Sequence, residues 1–76
     1  MRTSPLLRSL GKEVRERREK RRLSQEALAH QADVHTNVIG RLERGTHNPT
    51  VLTLLSIAVA LNASLLDLIA GADRRQ

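Results

Sequence analysis

The apolar positions in the middle of the chain follow a helical period that is interrupted once. Leu28 and Ala32 are four residues apart, and Ile39 and Leu42 are three residues apart, so each pair marks one face of a helix. Residues 33–35 break the period between the two pairs, and one continuous helix therefore does not fit. The pattern predicts two short helices that are joined by a tight turn and packed across each other.

Ala29 lies one helical turn before the predicted bend. Two helices that cross at close range leave room for only a small side chain, and Ala29 supplies one. Such a pair is a helix-turn-helix unit, whose second helix lies in the major groove of DNA. We expect the unit to run from Ser24, as N-terminal cap, to Gly45, as a left-handed C-terminal cap.

A long first helix is predicted before this unit. Ser4 and Pro5 form a typical helix start, in which a capping side chain is followed by proline at the first helical position. Gly11 weakens this helix by roughly 1 kcal/mol relative to alanine. The predicted inner stripe consists of Leu7, Leu10 and Val14.

Two apolar helices are predicted after the unit. Helix 4 is expected to face the core with Val51, Leu54, Leu55, Ala58 and Leu61, while Leu52, Ile57 and Val59 make it apolar on nearly every side. Helix 5 is expected to begin with a capping box from Ser64 to Asp67 and to face the core with Leu65, Leu68 and Ile69. The predicted spans are 5–21, 24–32, 35–44, 50–61 and 64–70, with a frayed tail at 72–76.

A length of 76 residues favours one small domain, near the lower size limit for a self-sufficient core. With the five predicted helices, the expected fold over residues 1–76 is all-α, a compact five-helix bundle. The chain has no Phe, Tyr, Trp or Cys, so its core must be aliphatic and no disulfide can reinforce it. These features suit the cytoplasm, and the sequence shows neither a signal peptide nor a membrane span. Exposed apolar side chains predict a homodimer, with Leu52, Val59 and Leu66 as interface candidates.

Positive charge lies beside the helix-turn-helix unit rather than on it. The net charge is +5, and residues 12–23 hold seven Lys or Arg against three Glu. Residues 24–49 hold two Arg against three acidic residues. We therefore expect helix 1 to bind phosphates, with Lys20 and Arg21 as candidate anchors, while the second helix of the unit recognises bases.

The predicted outward face of helix 3 carries side chains that can bind base edges. Asn37 can bind adenine and Arg41 can bind guanine through two hydrogen bonds, and Thr36 offers a hydroxyl and a methyl group. Gly40 on the same face has two interpretations: it allows a close approach to DNA, or it is a tolerated weakness. Val38 likewise fits either the edge of the core or a thymine-methyl contact.

The segments LSQEALA, VIGRLERG and NPT resemble the phage repressor and Cro type of helix-turn-helix domain, from about Leu10 to Leu68. The resemblance implies a lambda repressor-like fold that binds double-stranded DNA, with bases recognised by Thr36, Asn37 and Arg41. It also implies an ion pair between Arg18 and Glu43. The residues expected to contact the DNA backbone or to support the interface are Arg18, Gln25, His35, Arg44, Thr46 and Asn48.

Three positions depart from this family's pattern. Asp33 replaces the glycine favoured in the turn, and tolerates a positive φ better than most residues. His35 is a poorer cap than the usual Ser or Thr, which leaves the start of helix 3 uncertain by one residue. Arg17 replaces an apolar residue, and its aliphatic stem is expected to lie along the edge of the core.

Other functions fit the sequence less well. An enzyme is not expected, because the chain has no Cys, no glycine-rich phosphate loop and no suitable acid pair. His30, His35 and His47 match no standard metal spacing, so neither a metal nor a cofactor is expected. RNA or single-stranded DNA binding lacks the usual aromatic platforms.

The sequence therefore predicts a small transcriptional regulator that binds duplex DNA as a homodimer on a palindromic operator. Size and the VIGRLERG segment are similar to those of restriction–modification controllers and of stand-alone phage or plasmid repressors, and the sequence does not separate these. The alternative is an antitoxin-type module that binds a toxin or another protein through helices 4 and 5.

Overall fold

Five α-helices make up the chain in the computed structural model, which describes residues 4–76. They are α1 (Pro5–Lys20), α2 (Gln25–Ala32), α3 (Thr36–Glu43), α4 (Val51–Ala60) and α5 (Leu65–Arg74). No strand occurs within residues 4–76, so the predicted all-α five-helix class is confirmed. The spans predicted for α1 to α4 differ from these only by the capping residues at their ends.

Side-chain caps start all five helices, as the sequence pattern indicates. Four of them are hydroxyls that accept a backbone N–H three residues ahead: Ser4, Ser24, Thr50 and Ser64. Ser64 and Asp67 complete the predicted capping box, since each side chain accepts the backbone N–H of the other at 3.0 Å. The helix boundaries are therefore set largely by local chemistry.

The core is aliphatic, as a chain without aromatic residues requires. Its largest fully buried side chains come from all five helices: Val14, Leu28, Ile39, Leu42, Ile57 and Leu68. Ala29 is also buried, on α2, which packs against both α3 and α4. This small residue allows the close crossing that the sequence predicted.

The predicted core face of α4 is partly wrong. Val51 and Leu55 are exposed, whereas Ile57 is fully buried. The observed buried face has the helical period displaced around the helix. It consists of Leu54, Ile57, Ala58, Ala60 and Leu61. A helix that is apolar on nearly every side does not identify its own inner face, because the period fits more than one set of positions.

The predicted end of α5 is also wrong. The helix continues past Gly71 to Arg74, and Ala72 is fully buried. Ile69, expected in the core, is exposed. The last residues are not a frayed tail, because Arg75 donates to Glu13 at 3.1 Å and the side chain of Gln76 donates to the Ser9 hydroxyl at 2.6 Å.

Glycine at position 11 is required where α1 crosses the end of α3. A Cβ on Gly11 would lie against the carbonyl oxygen of Leu42 and 2.7 Å from that of Glu43. The sequence presented this residue only as a weakness of the first helix. Because Gly11 has no side chain, α1 can pack directly against α3, the helix expected to enter the major groove of DNA.

Within residues 4–76, no single helix has the length and apolar content needed to cross a membrane. Taken together, α4 and α5 reach that length and composition, but they meet at an angle of 97°.

Candidate nucleic-acid interface

A tight turn places α3 across α2. Asp33 adopts a left-handed conformation with φ of 57° and ψ of 46°, in the place where the family favours glycine. The N–H of Val34 donates to the carbonyl of Ala29 at 2.9 Å, and the Val34 side chain packs against the core. The turn therefore spans only residues 33–35, and the Val34 hydrogen bond and side-chain packing fix where α3 starts.

His35 caps the start of α3. Its Nδ1 accepts the backbone N–H of Asn37 at 3.1 Å, which satisfies one of the free donors in the first helical turn. The helix proper begins at Thr36. This removes the one-residue uncertainty that a histidine cap leaves in the sequence.

An open cleft of about 240 Å³ lies on the outer face of α3. It is lined by Gln25, Thr36, Asn37, Gly40, Arg41 and Arg44. The three side chains predicted to recognise bases thus share one surface with Arg44 and with the first residue of α2. Asn37, Arg41 and Arg44 are exposed there, and Thr36 is half-buried.

Glu43, the last residue of α3, lies behind this surface and connects α3 to α1 and α2 through its carboxylate. Arg18 donates to both of its carboxylate oxygens, from Nε to Oε2 at 2.7 Å and from Nη2 to Oε1 at 3.1 Å. The side chains of Arg18 and Glu43 are only 11% and 4% exposed, and the hydrogen bonds with Glu43 raise the pKa of Arg18. The geometry is the two-point pairing that arginine forms with carboxylates.

Gln25 is held by the same carboxylate. Its Nε2 donates to Oε1 of Glu43 at 3.0 Å, and a carboxylate can only accept, so the amide oxygen turns away towards Gly40. Gln25 therefore braces α3, one of the two roles that the family resemblance implies for it. A third donor of Arg18, Nη1, reaches the carbonyl of Leu23 at 2.7 Å and connects α1 to the segment just before α2.

Gly40 lies on the floor of the cleft without being required by packing. A Cβ there would lie 3.4 Å from Nη1 of Arg44 and 3.6 Å from Oε1 of Gln25, which are ordinary contact distances. At Gly11, Gly45 and Gly71, by contrast, a Cβ would lie less than 3.0 Å from its neighbours.

The residues after α3 form a turn at its far end. Gly45 has φ of 77°, as its predicted role requires. Both the N–H and the hydroxyl of Thr46 donate to the carbonyl of Arg41, at 2.9 and 3.2 Å. Thr46 and Asn48 are exposed, and Thr50 caps α4 immediately after them. This loop lies at the opposite end of α3 from His35.

The two cations proposed as phosphate anchors have partners within the protein. Lys20 pairs with Glu16 at 3.3 Å, and Nη1 of Arg21 donates to the Ala60 carbonyl at 2.6 Å. Arg21 thus caps the end of α4, a role that has no signal in the sequence. In the part of the chain that the structure describes, no group of three His, Cys, Asp or Glu side chains could hold a metal ion.

The three interface candidates are all strongly exposed. Leu52 is 75%, Val59 70% and Leu66 78% accessible to solvent. They occupy the outer faces of α4 and α5, together with Leu55 and Ile69. The protein therefore presents apolar side chains on two helices that follow the helix-turn-helix unit.

Comparison with known proteins agrees with this geometry. Residues 14–68 match a protein-family model described as Helix-turn-helix. Over 56 residues, the chain is 43% identical to control protein C.SmaI of Serratia marcescens. This alignment covers 74% of this chain and 67% of that protein.

Two crystal structures show the same fold. The restriction–modification controller protein C.AhdI from Aeromonas hydrophila superposes with a TM-score of 0.80 at 34% identity, over 82% of this chain and 94% of that one. The clp gene regulator ClgR from Corynebacterium glutamicum superposes with a TM-score of 0.89 at 27% identity, over 97% of this chain and 79% of that one.

Proposed function

The chain belongs to the helix-turn-helix family of DNA-binding transcriptional regulators and is not an enzyme, and on this basis we propose that α3 enters the major groove and recognises a specific duplex sequence. The observation that carries the proposal is the shared outer surface of α3. Thr36, Asn37 and Arg41 are held there on a helix whose far end is fixed by Glu43.

Each of these side chains has a partner on a base edge. The Asn37 amide can donate to N7 and accept from N6 of adenine, and Arg41 can donate to O6 and N7 of guanine. Thr36 offers a hydroxyl to a polar base atom or a methyl group to thymine. Because helix 3 is positioned by a buried ion pair, these groups need little reorganisation on binding.

The surrounding residues suit the DNA backbone. Arg44 extends along α3 into the cleft and adds a positive charge beside the base-recognition side chains. Thr46 and Asn48 lie in the exposed loop before α4, where they can contact a phosphate. Gln25, Arg18 and His35 act mainly by holding helices 2 and 3 in place, since their polar groups bond within the protein.

A homodimer is the assembly that the exposed apolar side chains support. Three large apolar side chains on α4 and α5 are mostly exposed to solvent: Leu52, Val59 and Leu66. A second copy of the chain would cover this apolar surface. Two related copies would place their α3 helices in successive major grooves, about 34 Å apart. The operator is then expected to be palindromic.

The names of the relatives favour one biological role over the alternatives. C.SmaI is a control protein, and C.AhdI is a restriction–modification controller. We infer that this protein is likewise a controller, and that it regulates transcription by occupying its operator. A regulator of this kind must be in the same compartment as its operator, and we therefore expect it in the cytoplasm. These names give no support to the antitoxin-type alternative.

Selection from a library of random duplexes tests the proposal. The expected result is enrichment of one palindromic sequence whose half-sites are about one helical turn apart. A double variant, Asn37→Ala with Arg41→Ala, is the control and should lose the enrichment while keeping its fold. Binding without any enriched sequence would contradict base recognition by α3.

A further inference from the structure

The charged residues of α1 lie on two different edges of the helix. On the edge that faces α5, the cations are paired: Arg17 with Glu13 at 2.7 Å and Lys20 with Glu16 at 3.3 Å. Arg75 bridges the same two carboxylates at 3.1 and 2.8 Å. Positive charge on this edge is therefore largely balanced within the protein.

The opposite edge of α1 lies along the C-terminal end of α3. A Cβ on Gly45 would be 2.9 Å from Cα of Arg8, and one on Gly11 would be 2.7 Å from the Glu43 carbonyl oxygen. Arg18 continues the same edge with its ion pair to Glu43. Contacts at positions 8, 11 and 18 follow the helical period, and all of them reach residues 42–45, so this edge of α1 borders the C-terminal end of α3.

Three exposed cations stand on or beside this edge: Arg8, Lys12 and Arg15. We call them the α1 ridge. Within residues 4–76, neither Arg8 nor Lys12 forms an ion pair, and Arg15 pairs only with Glu19, at 3.2 Å between two exposed side chains. An exposed pair of this kind is weak and can be exchanged for another partner.

We propose that the α1 ridge binds phosphates of the DNA backbone beside the C-terminal end of α3. The inference rests on the proposed function, because α3 in the major groove brings a phosphate strand next to that end of the helix. It assigns the phosphate contacts of helix 1 to Arg8, Lys12 and Arg15, on or beside the edge that borders α3. Lys20 lies on the other edge, with Arg74 and Arg75 at the end of α5, and Arg21 donates to the Ala60 carbonyl.

A purely structural role would be stabilisation of α3 by cations near its C-terminus. Two of the carbonyls there already have partners: Leu42 accepts the N–H of Gly45, and Arg41 accepts that of Thr46, both at 2.9 Å. The ridge side chains are thus not required as caps, and their exposure leaves them free to bind an external anion. The two roles predict different effects of removing these cations. Phosphate binding predicts a change in the salt dependence of DNA affinity, and stabilisation of α3 predicts a change in folding stability.

The test compares two double variants that remove the same charge. Arg8→Gln with Lys12→Gln removes two ridge cations, and Lys20→Gln with Arg74→Gln removes two exposed cations elsewhere. DNA affinity is measured over a series of salt concentrations, on the selected operator and on an unrelated duplex. Each lost phosphate contact lowers the slope of log K against log salt by about 0.9, so the ridge variant should lose about 1.8 per protomer.

The ridge variant should weaken binding to both duplexes by the same factor, because phosphates carry no sequence information. Equal slope changes in the two double variants would overturn the inference, since only the net charge would then matter. Loss of operator binding alone would also overturn it. A wild-type protein that binds neither duplex would refute the proposed function instead.

Removal of Glu19, the carboxylate that pairs with Arg15 of the ridge, provides a test in the opposite direction. Glu19→Gln releases Arg15 and should tighten binding to both duplexes several-fold at low salt. Glu16→Gln, on the balanced edge of α1, adds the same charge and should have a clearly smaller effect. An equal gain from the two variants would contradict a localised phosphate site.

Discussion

Arg18 of α1 donates two hydrogen bonds to the carboxylate of Glu43 of α3, at 2.7 and 3.1 Å. Replacement of Glu43 by alanine would leave the Arg18 guanidinium nearly buried without its carboxylate. Loss of one partner from such a pair costs about 3–5 kcal/mol of folding free energy. Glu43→Ala should therefore lower the melting temperature far more than Glu16→Ala, which breaks only exposed pairs. Equal melting temperatures for the two variants would show that the pair does not hold α3.

Glu13 makes folding sensitive to acid. Burial tends to raise the pKa of its carboxyl group, but hydrogen bonds from Arg17 and Arg75 outweigh that effect and hold the pKa below its ordinary value of 4.5. A carboxyl with a lowered pKa in the folded state stabilises the protein above its unfolded pKa and loses this effect as pH falls through the folded value. The stability of the wild-type protein should therefore decrease below about pH 4.5.

Denaturant unfolding at several pH values measures this dependence. Glu13→Gln removes the titrating group and should flatten the decrease between about pH 5 and pH 3. Glu26→Gln, at an exposed position of α2, is the matched control and should follow the wild-type curve. If both variants kept the wild-type slope, Glu13 would not be the linked group.

Gly40 and Gly11 should respond in opposite ways to alanine. At position 40 a Cβ meets only ordinary contacts, so Gly40→Ala should stabilise the protein by about 1 kcal/mol through helix propensity. At position 11 the added methyl group would strike backbone carbonyls of α3, and Gly11→Ala should destabilise. Chemical denaturation of both variants measures the difference, and the same sign for both would contradict the packing described above.

DNA binding by Gly40→Ala decides between the two interpretations of this glycine. A stabilised variant with weaker operator binding would mean that DNA needs the open floor of the cleft. Unchanged binding would make Gly40 a tolerated weakness.

Self-association should depend on Leu66. A charge at this exposed position of α5 would have to be buried if a second copy covers the outer face of the helix. Leu66→Glu should therefore raise the dimer dissociation constant by at least about tenfold, as measured by sedimentation equilibrium. Leu6→Glu, at an exposed apolar position on α1, is the control. A dimer insensitive to Leu66→Glu would use another surface.

Much of this fold could be predicted from local signals. Helix caps such as Ser24 and Ser64 act within four residues of chain, and the break in apolar period at residues 33–35 is also local. The ion pair between Arg18 and Glu43 was predicted only because the family resemblance connected two distant segments.

The errors arose where tertiary packing decides between local alternatives. Nothing near Gly71 in the sequence shows that α5 continues, because the reason is a buried face that ends in Ala72 and contacts of Arg75 with α1. Gly11 likewise gains its role only when α3 is packed against it. The choice among the cations of α1 required knowledge of which edge faces α5 and which faces α3.

Base recognition by α3 is the central claim, and the base preference of Arg41→Ala tests it most directly. Affinity is measured for every single-base variant of the selected operator, with wild-type protein and with Arg74→Ala as a control for lost charge. We expect Arg41→Ala to lose discrimination of about 1–3 kcal/mol at one position of each half-site, and Arg74→Ala to keep the wild-type profile. A uniform loss of affinity by Arg41→Ala, with every base preference intact, would contradict the claim.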